Sequence, residues 1–329
     1  MKIQITKPGL LSTVQDLGRH GYQHLAVPVS GAMDTLSART ANMCVGNDAN
    51  DAVIEFTYGD AGFKTETGAL IAASGYGARL SVGARPIPLN KPVYLPAGLN
   101  VSLNTVNQGC RTYLSVAGGW DVPEVLGSRS TFLAAGFGGF EGRKLAANDV
   151  LNNTGQLSAT AKNILDELSG ANICYPKWSI PQRDLPKIKT IRVIPAREFN
   201  WFNGLSITNF LTEPYSLSQK SNRMGYQLNG PLMQRLNQQE LLSTAVIPGT
   251  IQVTGDGSLI MLMADCQVTG GYPRIAQVAL ADMPLCAQLK PGDTIYFKEI
   301  SWNEAEMLYI EQEKDIQKLA ASIGHKYAF

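Results

Sequence analysis

Three polar, glycine-containing runs in the C-terminal half carry the residues best suited to chemistry. They are 221–228 (SNRMGYQL), 269–276 (TGGYPRIA) and 281–285 (ADMPL). Each run places an Arg, a Tyr or an Asp among residues that form turns and let the backbone approach a ligand closely. Segments of this kind are typical of pocket linings rather than of core strands. We therefore expect a binding pocket for a small molecule in this half of the chain.

Two of these runs suggest anion binding. Arg223, in the first run, has a guanidinium fork that can hold a carboxylate through two parallel hydrogen bonds. The alternative is that Arg223 pairs with a structural acid. In the second run, backbone N–H groups of a glycine-containing loop can converge on a negative group. The rival interpretation of that run is a tight hairpin. The loop residues are Thr269, Gly270, Gly271 and Tyr272.

Short strands joined by tight turns must position these runs. The chain has 32 glycines and 17 prolines, which favours many short strands over long helices. Alternating apolar segments predict core strands at 69–73, 112–116, 190–194 and 259–263. A bend followed by an outgoing strand recurs at 95–103 and 289–297, as the corners of a closed barrel require.

The two halves of the chain are faintly similar to each other. Residues 2–8 and 190–195 both read as a strand that ends at a proline. Residues 30–34 (SGAMD) are echoed by 221–225 (SNRMG). This self-similarity predicts a mainly β protein with two barrel domains and a few short helices.

The two predicted domains comprise residues 1–188 and residues 189–329. From about residue 152 the first domain contains a connector, with a helix over 159–168 followed by a proline-rich passage. The second domain ends in a helix that begins at a capping box starting with Ser301.

Composition limits the function classes. The formal net charge of +1 argues against a nucleic-acid groove, which needs a basic excess. No apolar stretch approaches the roughly 20 residues that span a bilayer. The N-terminus lacks a signal peptide's apolar block, so a cytoplasmic location is expected. The five cysteines contain no CxxC pair and are expected to be buried thiols, and the three histidines do not form a zinc site by spacing.

Residues 14–21 (VQDLGRHG) and 27–34 (VPVSGAMD) resemble the opening of the biotin-dependent carboxyltransferase-like family. Further motifs extend the resemblance over nearly the whole chain. They are 111–120, 127–131, 138–143, 240–243, 247–253 and the three runs described above.

This resemblance implies two cyclophilin-like β-barrel domains and a tight complex with a smaller paralogous partner. In the bacterial 5-oxoprolinase members, that partner is the B subunit. A lactam-utilisation-type protein, the A subunit, completes an enzyme that opens 5-oxoproline to glutamate with ATP. Two alternatives within the family stay open. One is the carboxyltransferase component of a urea-carboxylase type of enzyme, and the other is a non-enzymatic antagonist of a histidine-kinase inhibitor.

Within the resemblance, the runs receive specific roles. Arg223 is the candidate for the substrate carboxylate, while Asn222 and Tyr226 either hold the ring amide or satisfy turn backbone. Asp265, which follows a strongly apolar strand, is the preferred general acid or base. Tyr272 is the remaining catalytic candidate.

Three further residues lie in the N-terminal motifs. Arg19 and Arg129 are candidates for contact with the partner protein or with a phosphate. Asp34 is a third such candidate, although it also stands where a helix N-cap is expected.

ATP is the expected cofactor. The chain has no GxxxxGK[ST] loop, so an ATP site would be unconventional or would lie partly on the partner. Residues 136–139 (GFGG) are glycine-rich but do not follow a strand–helix pattern. There is no Ala-Met-Lys-Met sequence, so covalently attached biotin is not expected.

Overall fold

The computed structural model describes residues 1–182, 184–237 and 240–328. The chain divides into two compact units. The N-terminal unit comprises Met1–Arg19, Asp34–Asp184 and Asp315–Phe329, and the C-terminal unit comprises His20–Met33 and Leu185–Lys314. The sequence predicts a single division at residue 188. In the structure, His20–Met33 groups instead with the C-terminal unit, and Asp315–Phe329 groups with the N-terminal unit. The predicted mainly β fold class is confirmed.

The N-terminal unit arranges its strands in two antiparallel sheets. The strands are β1 Lys2–Pro8, β2 Leu11–Gln15, β3 Val53–Thr57, β4 Ala61–Thr65, β5 Ala69–Gly75, β6 Ala78–Val82, β7 Arg85–Ile87, β8 Val93–Leu95, β9 Asn100–Thr105, β10 Arg111–Val116 and β11 Val150–Asn152. Within the described residues, one sheet has the order β11-β1-β4-β9-β6-β7 and the other β2-β3-β10-β5-β8. Apolar side chains from both sheets form one core cluster, which includes Phe56, Phe63 and Trp120.

Among the described residues, two helices lie wholly within this unit. Helix α1, Thr35–Cys44, begins after Asp34, whose carboxylate accepts a hydrogen bond from the backbone N–H of Ser37. Helix α2, Ala159–Leu168, has the bounds that the sequence predicts, and the Ser158 hydroxyl caps its first turn. Both helices therefore begin at the residue types that favour helix N-termini.

The C-terminal unit is built around a closed barrel. Its barrel strands are β12 Lys189–Pro195, β13 Tyr215–Leu217, β14 Gly225–Asn229, β16 Thr250–Val253, β17 Leu259–Leu262, β19 Arg274–Val278 and β20 Thr294–Glu299. They close in the order β12-β19-β16-β17-β14-β13-β20. Strands β15 Thr244–Ala245 and β18 Thr269–Gly270 pair separately as a short antiparallel ribbon.

Alternation along the barrel strands separates core from surface. Ile251 and Val253 of β16 and Met261 of β17 are fully buried in the barrel core. Intervening side chains such as Gln252 and Ile260 therefore point to the outer face, because successive residues of a strand face opposite sides. The candidate functional site lies on this outer face.

Three helices complete the C-terminal half: α3 Gly204–Thr212, α4 Met283–Ala287 and α5 Trp302–Lys326. Helix α5 starts as predicted, since the Ser301 hydroxyl accepts a hydrogen bond from the Glu304 backbone N–H. Among the described residues, no helix is both long and apolar enough to cross a bilayer. The expectation that all five thiols are buried is wrong for Cys174, which is exposed in the connector.

Candidate functional site

Arg223 and Asp265 form a buried ion pair. The Arg223 Nε donates to Asp265 Oδ2 at 2.8 Å, and its Nη2 donates to Asp265 Oδ1 at 3.1 Å. Both side chains are almost completely buried, at 5% and 6% exposure. The two hydrogen bonds give the fork-to-carboxylate geometry expected for Arg. In this structure the carboxylate that Arg223 holds is that of Asp265.

The same guanidinium fixes a loop from the N-terminal half. Arg223 Nη2 also donates to the carbonyl oxygen of Gly31 at 2.7 Å, and the neighbouring Ser30 N–H donates to the carbonyl of Ala264 at 3.0 Å. The alternative of a structural acid partner for Arg223 thus agrees with the geometry. Direct roles for Arg223 and Asp265 in substrate binding or proton transfer stay predictions.

The chain neighbours of Arg223 line an open pocket. Arg223 is buried, whereas its two neighbours Asn222 and Met224 line a cavity of about 180 Å³. Tyr272, which is 47% exposed, lines the same cavity. The structure therefore brings residues of the first and second polar runs to one pocket, but Arg223 and Asp265 are not among the lining residues. The remaining lining residues are Lys220, Gly225, Gln227, Gln252, Ile260, Leu262 and Gln267.

The floor of the pocket is a row of side chains across three barrel strands. Gln227 of β14 stands opposite Ile260 of β17, which stands opposite Gln252 of β16. Side chains in register on adjacent strands share one face of a sheet. Arg274 of β19 continues this row and is paired with the buried carboxylate of Glu198 at 2.7 and 2.8 Å. A register shift between Ile251 and Gln252 marks a β-bulge at this point, a feature that often lies beside binding sites.

Gln252 is the buried polar group of this floor. Its side chain is 1% exposed, and its Nε2 donates to the carbonyl oxygen of Tyr272 at 3.2 Å. Gly270 lies directly against the carboxamide, because a Cβ built on Gly270 would stand 2.6 Å from Gln252 Nε2. A larger residue at position 270 would therefore force the carboxamide of Gln252 to move.

The loop 269–272 has a different structure from either prediction. Thr269 and Gly270 pair with Thr244 and Ala245, so they form one strand of a ribbon rather than an anion-binding loop or a tight hairpin. The reason is a pairing partner distant in the chain, which local sequence patterns do not reveal. Gly271, which follows the ribbon, is exposed.

Asn222 and Tyr226 have separate environments. The Asn222 side chain accepts a hydrogen bond from the Met224 backbone N–H at 2.8 Å, so it supports the turn while also lining the pocket. Tyr226 is 2% exposed and packs in the barrel core. The proposed contact of Tyr226 with a ring amide is therefore not supported, because its position in the strand points inward.

The third run belongs to a different part of the barrel. Asp282 is 5% exposed and accepts hydrogen bonds from the backbone N–H and the guanidinium of Arg192. The Asp282 side chain raises the pKa of Arg192 through this hydrogen bond. The pair joins the start of α4 to β12, which is a structural role.

The candidates in the N-terminal unit are held within that unit. Arg19 is 0% exposed, donates to the Ser130 carbonyl and stacks over the ring of Phe137, so its burial does not suit a surface contact. Asp34 is 1% exposed and caps α1. Arg129 is partly exposed, lies 3.4 Å from a carboxylate oxygen of Glu124, and is the most accessible of the three.

Two glycines of the segment 136–139 pack closely against their own chain. A Cβ on Gly138 would stand 2.1 Å from the Ser130 carbonyl oxygen, and one on Gly139 would stand 1.9 Å from Thr131 Oγ1. Both glycines have positive φ, of 71° and 56°. Gly138 and Gly139 therefore permit close backbone packing, which accounts for glycine at these two positions. Among the described residues, no cluster of three His, Cys, Asp or Glu side chains could hold a metal ion.

Four polar side chains of the pocket were not named as site candidates from the sequence: Lys220, Gln227, Gln252 and Gln267. A signal existed for Gln252, since it lies between Ile251 and Val253 in an alternating strand and must therefore occupy the outer face. No local pattern marks Lys220 or Gln267, because they enter the pocket through turns.

Comparisons with known proteins show which family and which proteins this chain resembles. Residues 25–299 match the family model described as carboxyltransferase domain, subdomain A and B. The chain is 37% identical to the C subunit of 5-oxoprolinase from Escherichia coli (strain K12) over 318 residues, which cover 97% of each protein. It is 35% identical to urea amidolyase of Lachancea kluyveri, and that match covers 96% of this chain but 18% of the other protein.

A solved structure gives the same pattern. The chain is similar to the crystal structure of urea amidolyase from K. lactis, with a TM-score of 0.85 and 31% sequence identity. The match covers 97% of this chain and 20% of the other. The chain thus spans about a fifth of the urea amidolyase relatives and nearly all of the 5-oxoprolinase relative.

Proposed function

The chain belongs to the carboxyltransferase domain family with subdomains A and B, and on that basis we propose that it is the C subunit of an ATP-dependent 5-oxoprolinase. The resemblance inferred from the sequence motifs is confirmed by this membership. In the proposed reaction, water opens the five-membered lactam of 5-oxoproline to give glutamate, coupled to hydrolysis of ATP to ADP and phosphate.

The observation that carries the proposal is the end-to-end match with one component of a 5-oxoprolinase. The alignment covers 97% of both proteins, and the corresponding C subunit from Haemophilus influenzae is covered to 96% at 33% identity. The urea amidolyase relatives carry more than four-fifths of their length outside the matched region. The matched region therefore covers nearly all of the 5-oxoprolinase C subunits and about a fifth of the urea amidolyases.

Relatives that are named as C subunits imply an enzyme with further subunits. In the proposal these are a smaller paralogous protein, the B subunit, and a lactam-utilisation-type protein, the A subunit. Catalysis belongs to the assembly, and this chain contributes recognition of the substrate. The hydrolase activity is accordingly proposed for the complex and not for the isolated chain.

The chemistry explains why several proteins act together. A five-membered lactam is a stable amide, so its opening needs activation of the ring carbonyl, which coupling to ATP would supply. Lys220 is the cationic residue among those that line the barrel pocket, whereas a triphosphate carries several negative charges. Gly138 and Gly139 serve close packing of their own chain. We propose that the ATP site of the complex is shared with, or lies on, a partner protein.

Reconstitution tests the proposal. This chain is co-expressed with its B and A partners, and glutamate release from 5-oxoproline is measured with and without ATP. We expect ATP-dependent glutamate release that disappears when this chain is omitted. Absence of activity in every combination of the three proteins would contradict the proposal.

A second candidate is supported by the urea amidolyase matches, which cover 96% of this chain. In that case the chain would accept a carboxyl group from a biotinylated protein made elsewhere. Affinity capture distinguishes the two candidates, because a cognate biotin carboxylase would be retained only in the second.

A further inference from the structure

We propose that the pocket on the outer face of the C-terminal barrel recognises the amide of the substrate, with Gln252 determining specificity and Gly270 positioning Gln252. The inference rests on the proposed function. It adds the location of the substrate site and the class of substrate, a small cis amide that carries a carboxylate.

The Gln252 carboxamide is buried beside the pocket. The residue is 1% exposed and is one of those that line the cavity. A carboxamide offers two N–H donors and an oxygen acceptor with two lone pairs. Within the described part of the chain, Nε2 makes one hydrogen bond, to the Tyr272 carbonyl oxygen. In the proposed assignment, the acceptor oxygen and the second N–H of this carboxamide face the pocket side by side.

This pair of groups is complementary to a cis amide. In a five-membered lactam the ring holds the N–H and the C=O on the same edge of the amide group. That edge can form two parallel hydrogen bonds with a carboxamide, whose donor and acceptor are also adjacent. An acyclic secondary amide is trans and presents its donor and acceptor on opposite sides. A Gln at this position therefore favours ring amides and primary amides over peptide-like amides.

Gly270 leaves room for the end of the Gln252 side chain. A Cβ there would come within 2.6 Å of Gln252 Nε2 and 3.3 Å of Gln252 Oε1. The φ of Gly270 is not in the left-handed region, so the backbone conformation alone does not require glycine. Glycine at this position thus keeps room for the carboxamide, and an added methyl group would displace the end of a flexible side chain rather than the backbone.

The pocket has the size and the lining residues that suit a small, negatively charged ring. Its volume of about 180 Å³ is below the roughly 300–1,000 Å³ of pockets that hold drug-sized ligands. Ile260 and Leu262 supply an apolar surface for a small ring. Lys220 lines the same cavity and can pair with a carboxylate on that ring.

The test uses the purified full-length chain and three probes. These are 5-oxo-L-proline, L-proline, which lacks the ring carbonyl, and 2-pyrrolidinone, which lacks the carboxylate. Binding is measured by ligand-observed NMR and calorimetry for the wild type, Gly270→Ala and Gln252→Leu. Gly255→Ala is the matched control, because a Cβ on Gly255 meets no atom within 4 Å and its φ is also outside the left-handed region.

We expect the wild type and Gly255→Ala to bind 5-oxo-L-proline and to discriminate against L-proline. Gly270→Ala and Gln252→Leu should bind 5-oxo-L-proline about tenfold more weakly or worse, the effect of losing hydrogen bonds to a buried group. The melting temperature of Gly270→Ala should stay close to that of Gly255→Ala. Failure of the wild type to bind 5-oxo-L-proline, or equal affinity of Gly270→Ala and the wild type, would overturn the inference.

Turnover by the reconstituted complex separates this inference from the proposed function. An active complex whose KM for 5-oxoproline is unchanged by Gly270→Ala would retain the function and overturn the pocket assignment. An inactive complex combined with the expected binding pattern would retain the amide site and overturn the 5-oxoprolinase function.

Discussion

Replacing Arg223 by methionine should destabilise the C-terminal unit rather than alter only substrate affinity. Asp265 is 6% exposed in the wild-type structure, and the substitution removes the bidentate partner of its carboxylate. Breaking a buried ion pair by removing one partner costs about 3–5 kcal/mol of folding free energy. For a unit of this size, that loss corresponds to a fall in melting temperature of about 6–20 °C.

The assay is thermal unfolding of the full chain, followed by circular dichroism and by intrinsic fluorescence. A double-mutant cycle with Asp265→Asn separates the pair from its surroundings. If the loss comes from an orphaned carboxylate, Arg223→Met combined with Asp265→Asn should be less destabilised than the sum of the single variants, by about 0.5–3 kcal/mol. Arg223→Lys keeps the charge but loses the fork and should fall between the wild type and Arg223→Met.

The reasoning would be refuted if Arg223→Met unfolded at the wild-type temperature while the KM for 5-oxoproline rose. That combination would mean that the guanidinium is available to the substrate and that the contact with Asp265 contributes little. It would also restore the role that the sequence alone suggests for Arg223.

Three further predictions concern other parts of the chain. Asp34→Ala removes the cap of α1 and should lower the unfolding free energy by about 0.5–2 kcal/mol. Asp34→Asn should recover part of this loss. Equal urea midpoints for the wild type and Asp34→Ala would contradict the capping role. Burial acts to raise the pKa of Glu198, but the hydrogen bonds from Arg274 outweigh it and hold that pKa below its usual 4.5. The stability that this pair contributes is therefore complete above pH 4.5 and is lost as the pH falls through the lowered pKa. The melting temperature of Glu198→Gln should therefore fall less steeply with decreasing pH than that of the wild type. Identical slopes below pH 4.5 would argue against this role of the pair. Lys220→Gln should weaken binding of 5-oxoproline but not of 2-pyrrolidinone in calorimetry; equal losses for both probes would remove Lys220 from carboxylate recognition.

Most of the secondary structure could be predicted because its signals are local. The alternating segment 112–116 lies within β10, and the segment 190–194 lies within β12. Helix α2 has the predicted bounds, and Ser301 caps α5. In each case the periodicity of apolar residues or a capping residue within a few positions determines the element.

The arrangement of the site could be predicted only in part. Residues of the runs around Asn222 and Tyr272 line one pocket of the C-terminal unit, whereas Arg223, the first candidate from the sequence, does not line it. The pairing of Arg223 with Asp265 joins residues 42 positions apart, and no local pattern distinguishes it from an Arg that faces a ligand. Strand β18, which contains Gly270, pairs with β15, about 25 positions earlier in the chain. No local sequence pattern predicts this tertiary pairing either.

Gln252 illustrates what sequence patterns reveal and what they omit. Alternation with Ile251 and Val253 assigns Gln252 to the outer face of the barrel, where most polar residues are solvated. Its burial depends on the ribbon that carries Gly270 and on the backbone of Tyr272, both distant in the chain. The functional interest of this residue therefore comes from tertiary packing.

The most direct measurement is a crystal structure of this chain, in complex with its partner proteins, grown with 5-oxo-L-proline. We predict the lactam in the barrel pocket, with its N–H and C=O hydrogen-bonded to the Gln252 carboxamide and its carboxylate toward Lys220. Ligand density at another site, with an unoccupied pocket and an active complex, would contradict the account.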